Sequence, residues 1–130
     1  MIFYFVFNLF FIAPIIEWII HYGIHRPPVL TFHKQHHIAF YQKKDLVEVW
    51  TIPVILFLSY LTFYIAALGF FKYLVIHNMI HYFPEKIPKL SKHHFKHHLD
   101  PTCNFAVSST LPDKIFNTFK ESSKIKFRQL

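Results

Sequence analysis

The chain has 130 residues, of which 53% are hydrophobic and 20% aromatic, with 17 Phe and only 2 Gly. A soluble domain this small cannot bury so much apolar surface, so the composition predicts one membrane domain over residues 1–130. The single Cys excludes an internal disulfide and a cysteine-rich zinc finger. The net charge of +7 lies in polar segments. It favours cytoplasmic loops beside an anionic leaflet over nucleic-acid binding, because no nucleic-acid-binding motif accompanies it.

The first predicted element is a membrane helix over residues 2–20. This segment is apolar except for Asn8 and Glu17, and its length is about that needed to cross a bilayer. Pro14 would kink the helix, which a membrane helix tolerates. A secretory signal peptide is the alternative, but the segment has no basic start and no small-residue cleavage site.

A histidine pair closes this helix. His21 and His25 stand at i and i+4, and Pro27 follows as a helix stop. Glu17 lies four residues before His21, on the same helical face. If His21 binds a metal, Glu17 is predicted to accept the second ring N–H of that imidazole. The alternative is a polar residue at the headgroup boundary.

A second histidine cluster follows in a predicted short helix over residues 31–37. His33, His36 and His37 stand at i, i+3 and i+4, which places all three on one helical face. The chain then becomes polar and basic over residues 38–44, which predicts a loop at the membrane surface.

The long apolar segment 46–83 predicts a hairpin. It is too long for one span and slightly short for two full ones of about 20 residues. Gly69 is the predicted turn between a span over residues 48–68 and a shorter return over residues 70–81. The return helix carries His77 and His81 at its far end.

The last histidine cluster lies in a predicted helix that contains His93–His98 and ends at Asp100-Pro101. His94, His97 and His98 repeat the i, i+3, i+4 spacing. The mixed polar and apolar tail is expected to pack on the cytosolic side. With three spans, all four clusters and most lysines fall on one side of the membrane, which the charge rule assigns to the cytoplasm. The predicted fold is therefore an all-α integral membrane bundle with a cytosolic, histidine-rich cap.

All 11 histidines fall within these four clusters, and that clustering predicts a metal site. A structural zinc site needs four ligands, so the number of histidines favours two ions with four or five imidazoles each. Imidazole suits Zn, Cu, Fe and Ni, so ligand type alone does not select the metal. A non-enzymatic protein for metal storage or transport is a rival interpretation. The scarcity of polar residues within the spans argues against an ion path.

The order of clusters, HxxxH, HxxHH, HxxxH and HHxxHH around an apolar hairpin, resembles the fatty acid hydroxylase/sterol desaturase superfamily of membrane di-iron enzymes. The resemblance covers about Glu17 to Phe119. The C-terminal part, with HHFKHH followed by NFAVSSTLPDKIFNT, is most similar to fatty acid (ceramide) 2-hydroxylases. The first cluster is more similar to sterol desaturases and carotenoid hydroxylases.

The resemblance implies a ligand set taken residue by residue from the matching clusters. The implied metal ligands are His21, His25, His33, His36, His37, His77, His81, His94, His97 and His98. Glu17 and His93 are expected behind the ligands, with His93 in the outer sphere or at the surface. The third cluster departs from the 2-hydroxylase pattern, because Glu85 stands where a second histidine is expected. Either His77 or Glu85 is then the partner of His81.

The resemblance also implies an activity, which is O2-dependent hydroxylation of a lipid C–H bond, on a fatty acyl chain or a sterol, in lipid biosynthesis. Lipid desaturation and carotenoid hydroxylation are the alternatives. Two iron ions are the expected cofactors, and zinc can replace them in a purified form. The expected partners are the lipid, O2, the membrane and a separate cytochrome-b-type or ferredoxin electron donor. In a eukaryote the expected location is the endoplasmic reticulum.

Overall fold

The structure, a computed structural model, describes residues 2–26, 33–34, 36–37, 51–60 and 64–122. Within these ranges all regular structure is helical and no strand occurs, which confirms the all-α prediction. The elements in chain order are α1 (Ile2–Phe7), a π-helical segment (Asn8–Ile12), α2 (Ala13–Ile24), α3 (Thr51–Tyr60), α4 (Tyr64–Tyr82), a 3₁₀ turn (Pro84–Lys86), α5 (Pro88–Leu99) and α6 (Leu111–Ile115).

The N-terminal elements form one helical stretch, Ile2–Ile24, of 23 residues. In the described part of the chain it is the one helix that is long and apolar enough to cross a membrane. Many of its large apolar side chains are exposed, and Phe3 is 82% exposed. Because exposed apolar surface is unfavourable in water, this helix favours a lipid environment. The three-span arrangement and the hairpin remain predictions.

A π-helical segment at Asn8–Ile12 interrupts this stretch and gives a charged side chain a place to bind. Lys72 of α4 donates a hydrogen bond from Nζ to the carbonyl oxygen of Leu9, at 2.7 Å. The same ammonium group lies 5.3 Å from the centre of the Phe10 ring. A π-helical turn loosens the regular backbone hydrogen bonding. The carbonyl and the ring together bind the ammonium group of Lys72 between two apolar helices.

Gly69 is not the turn that the sequence analysis predicted. It lies inside α4, which is continuous from Tyr64 to Tyr82. Helices α3 and α4 pack against each other. Residues 61–63, which lie outside the described ranges, separate them in the sequence. A Cβ atom at Gly69 would lie 3.1 Å from the Cβ of Ala13. Glycine therefore serves close packing of α4 against α2, as small residues do at helix contacts in membranes.

We expect Gly69→Leu to lower the thermal stability of the protein in detergent, because the added side chain meets Ala13. Overpacking of this kind costs about 1–3 kcal/mol. Gly23→Leu is the matched control, since a Cβ there meets nothing within 4 Å. Equal unfolding temperatures for the two variants would contradict the proposed α2–α4 contact.

The segment after α5 runs through the interior instead of lying on the outside. Phe105 and Ala106 are buried against Trp18 of α2. Val107 is buried against Ile80 of α4 and Phe95 of α5. The segment thus packs against three helices at once, and all three carry predicted ligands.

Candidate metal centre

The structure gathers ten histidines into two groups. Within each group, the five potential ligand atoms all lie within 4.8 Å of one another. The first group is His21, His25, His33, His37 and His97. The second group is His36, His77, His81, His94 and His98. These ten are the residues that the sequence analysis predicted as ligands, and the structure brings them together as two groups that could each hold an ion.

Each group takes ligands from three segments, in the same proportions. The first group has an i, i+4 pair from α2, the pair His33/His37 and the single residue His97. The second has an i, i+4 pair from α4, the pair His94/His98 and the single residue His36. Each HxxHH triplet therefore divides its ligands between the groups.

Helix geometry explains this division. Successive residues turn about 100° around a helix axis, so residues at i and i+4 lie about 40° apart. The residue at i+3 lies about 60° from i on the other side. In α5, His94 and His98 therefore face one group while His97 faces the other. The two groups adjoin, since the ring centres of His37 and His98 are 4.5 Å apart.

The nitrogens of neighbouring rings approach one another as ligands of a common ion do. In the first group, Nε2 of His21 lies 2.9 Å from Nε2 of His33. In the second, Nε2 of His94 lies 2.8 Å from that of His77 and 2.9 Å from that of His98. Two imidazoles bound at right angles, each about 2.1 Å from an ion, would place their nitrogens about 3 Å apart. The donor atoms therefore fit a metal ion in each group.

Backbone carbonyls orient two rings of the first group. His21 donates from Nδ1 to the carbonyl oxygen of Phe105, at 2.5 Å. His97 donates from Nδ1 to the carbonyl oxygen of Cys103, at 2.7 Å. A carbonyl can only accept, so Nδ1 carries the hydrogen in both rings and Nε2 keeps its lone pair. This is the tautomer that a ligand imidazole needs.

Four histidines outside the membrane helix, namely His25, His94, His97 and His98, have a lowered pKa. Burial, and then the neighbouring imidazoles, lower the pKa of His94 and His98 well below the usual value. Burial likewise lowers the pKa of His97, and it lowers that of His25 to about 4. At neutral pH these rings are uncharged, and their lone pairs are available for a metal.

Glu17 lies beside this centre in a different role from the one predicted. Its carboxylate accepts hydrogen bonds from the backbone amides of Val107 and Ser108. The ring N–H of His21 that Glu17 was predicted to accept is bound by the Phe105 carbonyl instead. Glu17 therefore binds the interior segment two to three residues beyond the carbonyl that holds His21.

His93 and Glu85, the two undecided residues, lie outside both groups. His93 is buried and donates from Nε2 to Asp113, at 2.9 Å. Glu85 is exposed in the 3₁₀ turn. His77 joins His81 in the second group, so the arrangement favours His77 over Glu85 as the partner of His81.

Sequence reasoning did not identify Asp113 or the Cys103 and Phe105 carbonyls. The type of a residue does not show whether its backbone carbonyl has a role, and Asp113 is a single acidic residue that belongs to no spaced motif. The available hint was an acidic residue in the first turn of a short helix. That pattern is common enough to carry no functional information.

The described residues define a helical protein that has one helix long enough to cross a membrane and two adjoining groups of five histidines that could each hold a metal ion. A family model for fatty acid hydroxylase matches residues 6–118. The chain belongs to this family, and with it to the fatty acid hydroxylase/sterol desaturase superfamily. This membership implies an oxidoreductase and supports membrane association. No curated protein and no solved structure matches the chain significantly. The likeness to the 2-hydroxylase branch remains a prediction.

Proposed function

We propose that this protein is a membrane-bound oxidoreductase that hydroxylates a C–H bond of a lipid with O2, using two iron ions. Two adjoining groups of five imidazoles, in a member of the fatty acid hydroxylase family, carry this proposal. Zinc has one stable oxidation state and cannot supply the redox chemistry. Iron accepts imidazole ligands and can change oxidation state.

In this proposal each ion is held by one group of histidines. When bound, the ions would supply the redox chemistry needed to oxidise an unactivated C–H bond with O2. The neutral imidazoles hold their Nε2 lone pairs toward the centre of each group. The carbonyls of Phe105 and Cys103 keep the rings of His21 and His97 in that orientation.

Aromatic side chains restrict water beside the first group. The ring of Phe105 meets those of His25 and His97 edge to face, with centres 5.5 and 5.3 Å apart. Trp18 and Tyr22 stack beside Phe105, with their own ring centres 5.0 Å apart. An apolar wall of this kind suits an acyl chain and raises the cost of water entry. The substrate would reach this wall from the bilayer, along the exposed apolar face of Ile2–Ile24.

The proposal includes a cytoplasmic location for the centre and a separate electron donor. Lys86, Lys89 and Lys92 lie on or just before α5, and positive charge close to membrane helices favours the cytoplasmic side. O2 hydroxylation consumes two electrons beyond those taken from the C–H bond. A cytochrome-b-type or ferredoxin partner would supply them, at the endoplasmic reticulum in a eukaryote.

The test is a lipid profile by mass spectrometry after expression with a reductant system. We expect a product heavier than its parent by one oxygen, and ¹⁸O2 should label that oxygen. His81→Ala should abolish the product. Lys96→Ala, on the outward side of α5, should retain it. A product lighter by two hydrogens would replace hydroxylation with desaturation, and an unchanged profile in a two-metal protein would favour metal storage.

A further inference from the structure

Asp113, at the start of α6, is fully buried and lies outside both histidine groups. Its two carboxylate oxygens accept five hydrogen bonds. The donors to Oδ1 are Trp18 Nε1 (3.0 Å), the Phe105 amide (2.8 Å) and Thr118 Oγ1 (2.6 Å). The donors to Oδ2 are the Ala106 amide (2.9 Å) and His93 Nε2 (2.9 Å).

An ionised carboxylate suits this set of donors, because it only accepts and offers about four lone-pair positions. Burial alone would raise the pKa of Asp113, but the bonds from His93, Thr118 and Ala106 outweigh burial and hold the pKa below its usual value. The buried charge is thus fully engaged. Each donor is held in a fixed direction.

One of these bonds continues directly to a predicted metal ligand. The amide of Ala106 and the carbonyl of Phe105 belong to the same peptide unit, which is planar and rigid. Asp113 accepts from the N–H edge of this unit, and His21 donates Nδ1–H to its carbonyl edge. A rotation of the peptide plane would move the ring of His21. Asp113 therefore restrains the ring of His21 through one rigid peptide plane.

A second connection reaches His97. The Cys103 carbonyl accepts from His97, and the next amide, of Asn104, donates to the carbonyl of Thr118 at 2.9 Å. The amide of Thr118 donates in turn to the backbone carbonyl of Asp113, at 2.8 Å. The rings of His21 and His97, which backbone carbonyls orient, both belong to the first group. Both are connected to Asp113 through hydrogen bonds.

The geometry points to Asp113 as a positioning residue for the first histidine group, holding the Phe105–Ala106 peptide that sets the ring of His21. This inference rests on the proposed metal binding and concerns only the first group. The two connections through backbone carbonyls end at His21 and His97, which both belong to the first group.

Titration of the purified protein with Co²⁺, followed by the visible absorption of the bound ion, tests the inference. His21→Ala and His81→Ala assign the two binding steps to the first and second group. We expect Asp113→Asn to weaken binding to the first group by about 10- to 100-fold, the usual effect of removing an outer-sphere partner. The amide of the introduced asparagine would place its N–H groups against the donors that now bind the carboxylate of Asp113. The second group should bind Co²⁺ as in the wild type.

A double-variant cycle separates positioning from a general structural role. If Asp113 acts on the first group largely through His21, then Asp113→Asn should cause a smaller further loss in a His21→Ala background than in the wild type. Lys114→Ala is the matched control, because Lys114 is exposed and directly follows Asp113 on the same helix. It should keep both binding steps.

Equal weakening of both groups, additive losses in the cycle, or unchanged binding by Asp113→Asn would each overturn the inference. Failure of the proposed function gives a different result. A wild-type protein that binds two Co²⁺ ions, and leaves lipids unoxidised in its iron form, would refute hydroxylation while the role of Asp113 stands.

Discussion

Replacing His37 and His97 together by alanine is expected to remove one of the two bound ions and leave the other. Both residues belong to the first group, which would retain three of its five imidazoles. We expect binding to that group to fall by more than about 100-fold, the upper range for outer-sphere partners, because ligands themselves are lost. Metal analysis should find about one ion per chain, and lipid oxidation should cease.

A second pair of substitutions provides the sharper comparison. His97 and His98 are adjacent in sequence, yet they belong to different groups. Changing both to alanine should weaken the binding of both ions, because each group loses one ligand. Lys34→Ala and Lys96→Ala, on the same two segments, are controls that should keep both ions. If the two double variants lose metal in the same pattern, the assignment of ligands to groups is wrong.

Removing both ions with a chelator is expected to lower the free energy of unfolding substantially. An ion present at about 1,000 times its Kd stabilises the folded state by about 4 kcal/mol. The ligands of each group come from three separated segments, so an ion joins segments that unfolding would separate. Loss of helical circular dichroism with denaturant, with and without chelator, measures this effect.

The variant with both His37 and His97 replaced serves as the control for that measurement. It should show roughly half of the chelator effect, since one ion remains. Superimposable unfolding curves for metal-loaded and chelated wild-type protein would contradict a stabilising role for the ions.

The helices could be predicted where hydrophobic length and proline stops determined them. The segment 2–20 predicted a helix that the structure extends to Ile24, and Pro84 follows the end of α4 at Tyr82. The hairpin turn was misplaced because glycine has two uses. It frees the backbone in a turn, and it also permits close contact between helices. Only the position of Ala13 beside Gly69 distinguishes these uses, and that contact joins distant parts of the sequence.

The candidate ligands could be predicted because i, i+3 and i+4 spacings place side chains on one face of a helix, whatever the tertiary fold. What holds the ligands could not be predicted in the same way. Glu17 had the right spacing to reach His21, but a carbonyl 84 residues away occupies that place. Asp113 reaches the centre through a peptide plane, and no sequence pattern records such a contact. Local periodicity therefore identified the imidazoles, whereas tertiary folding determined their supports.

The crossing of the two triplets has a consequence for how this centre can change over evolution. One set of five histidines extends from residue 21 to residue 97, and the other from residue 36 to residue 98. A contiguous deletion that eliminates either complete set also eliminates members of the other. No single contiguous deletion can therefore remove one complete set alone, whereas shorter deletions such as 21–33 or 77–94 would remove three members of one set and none of the other.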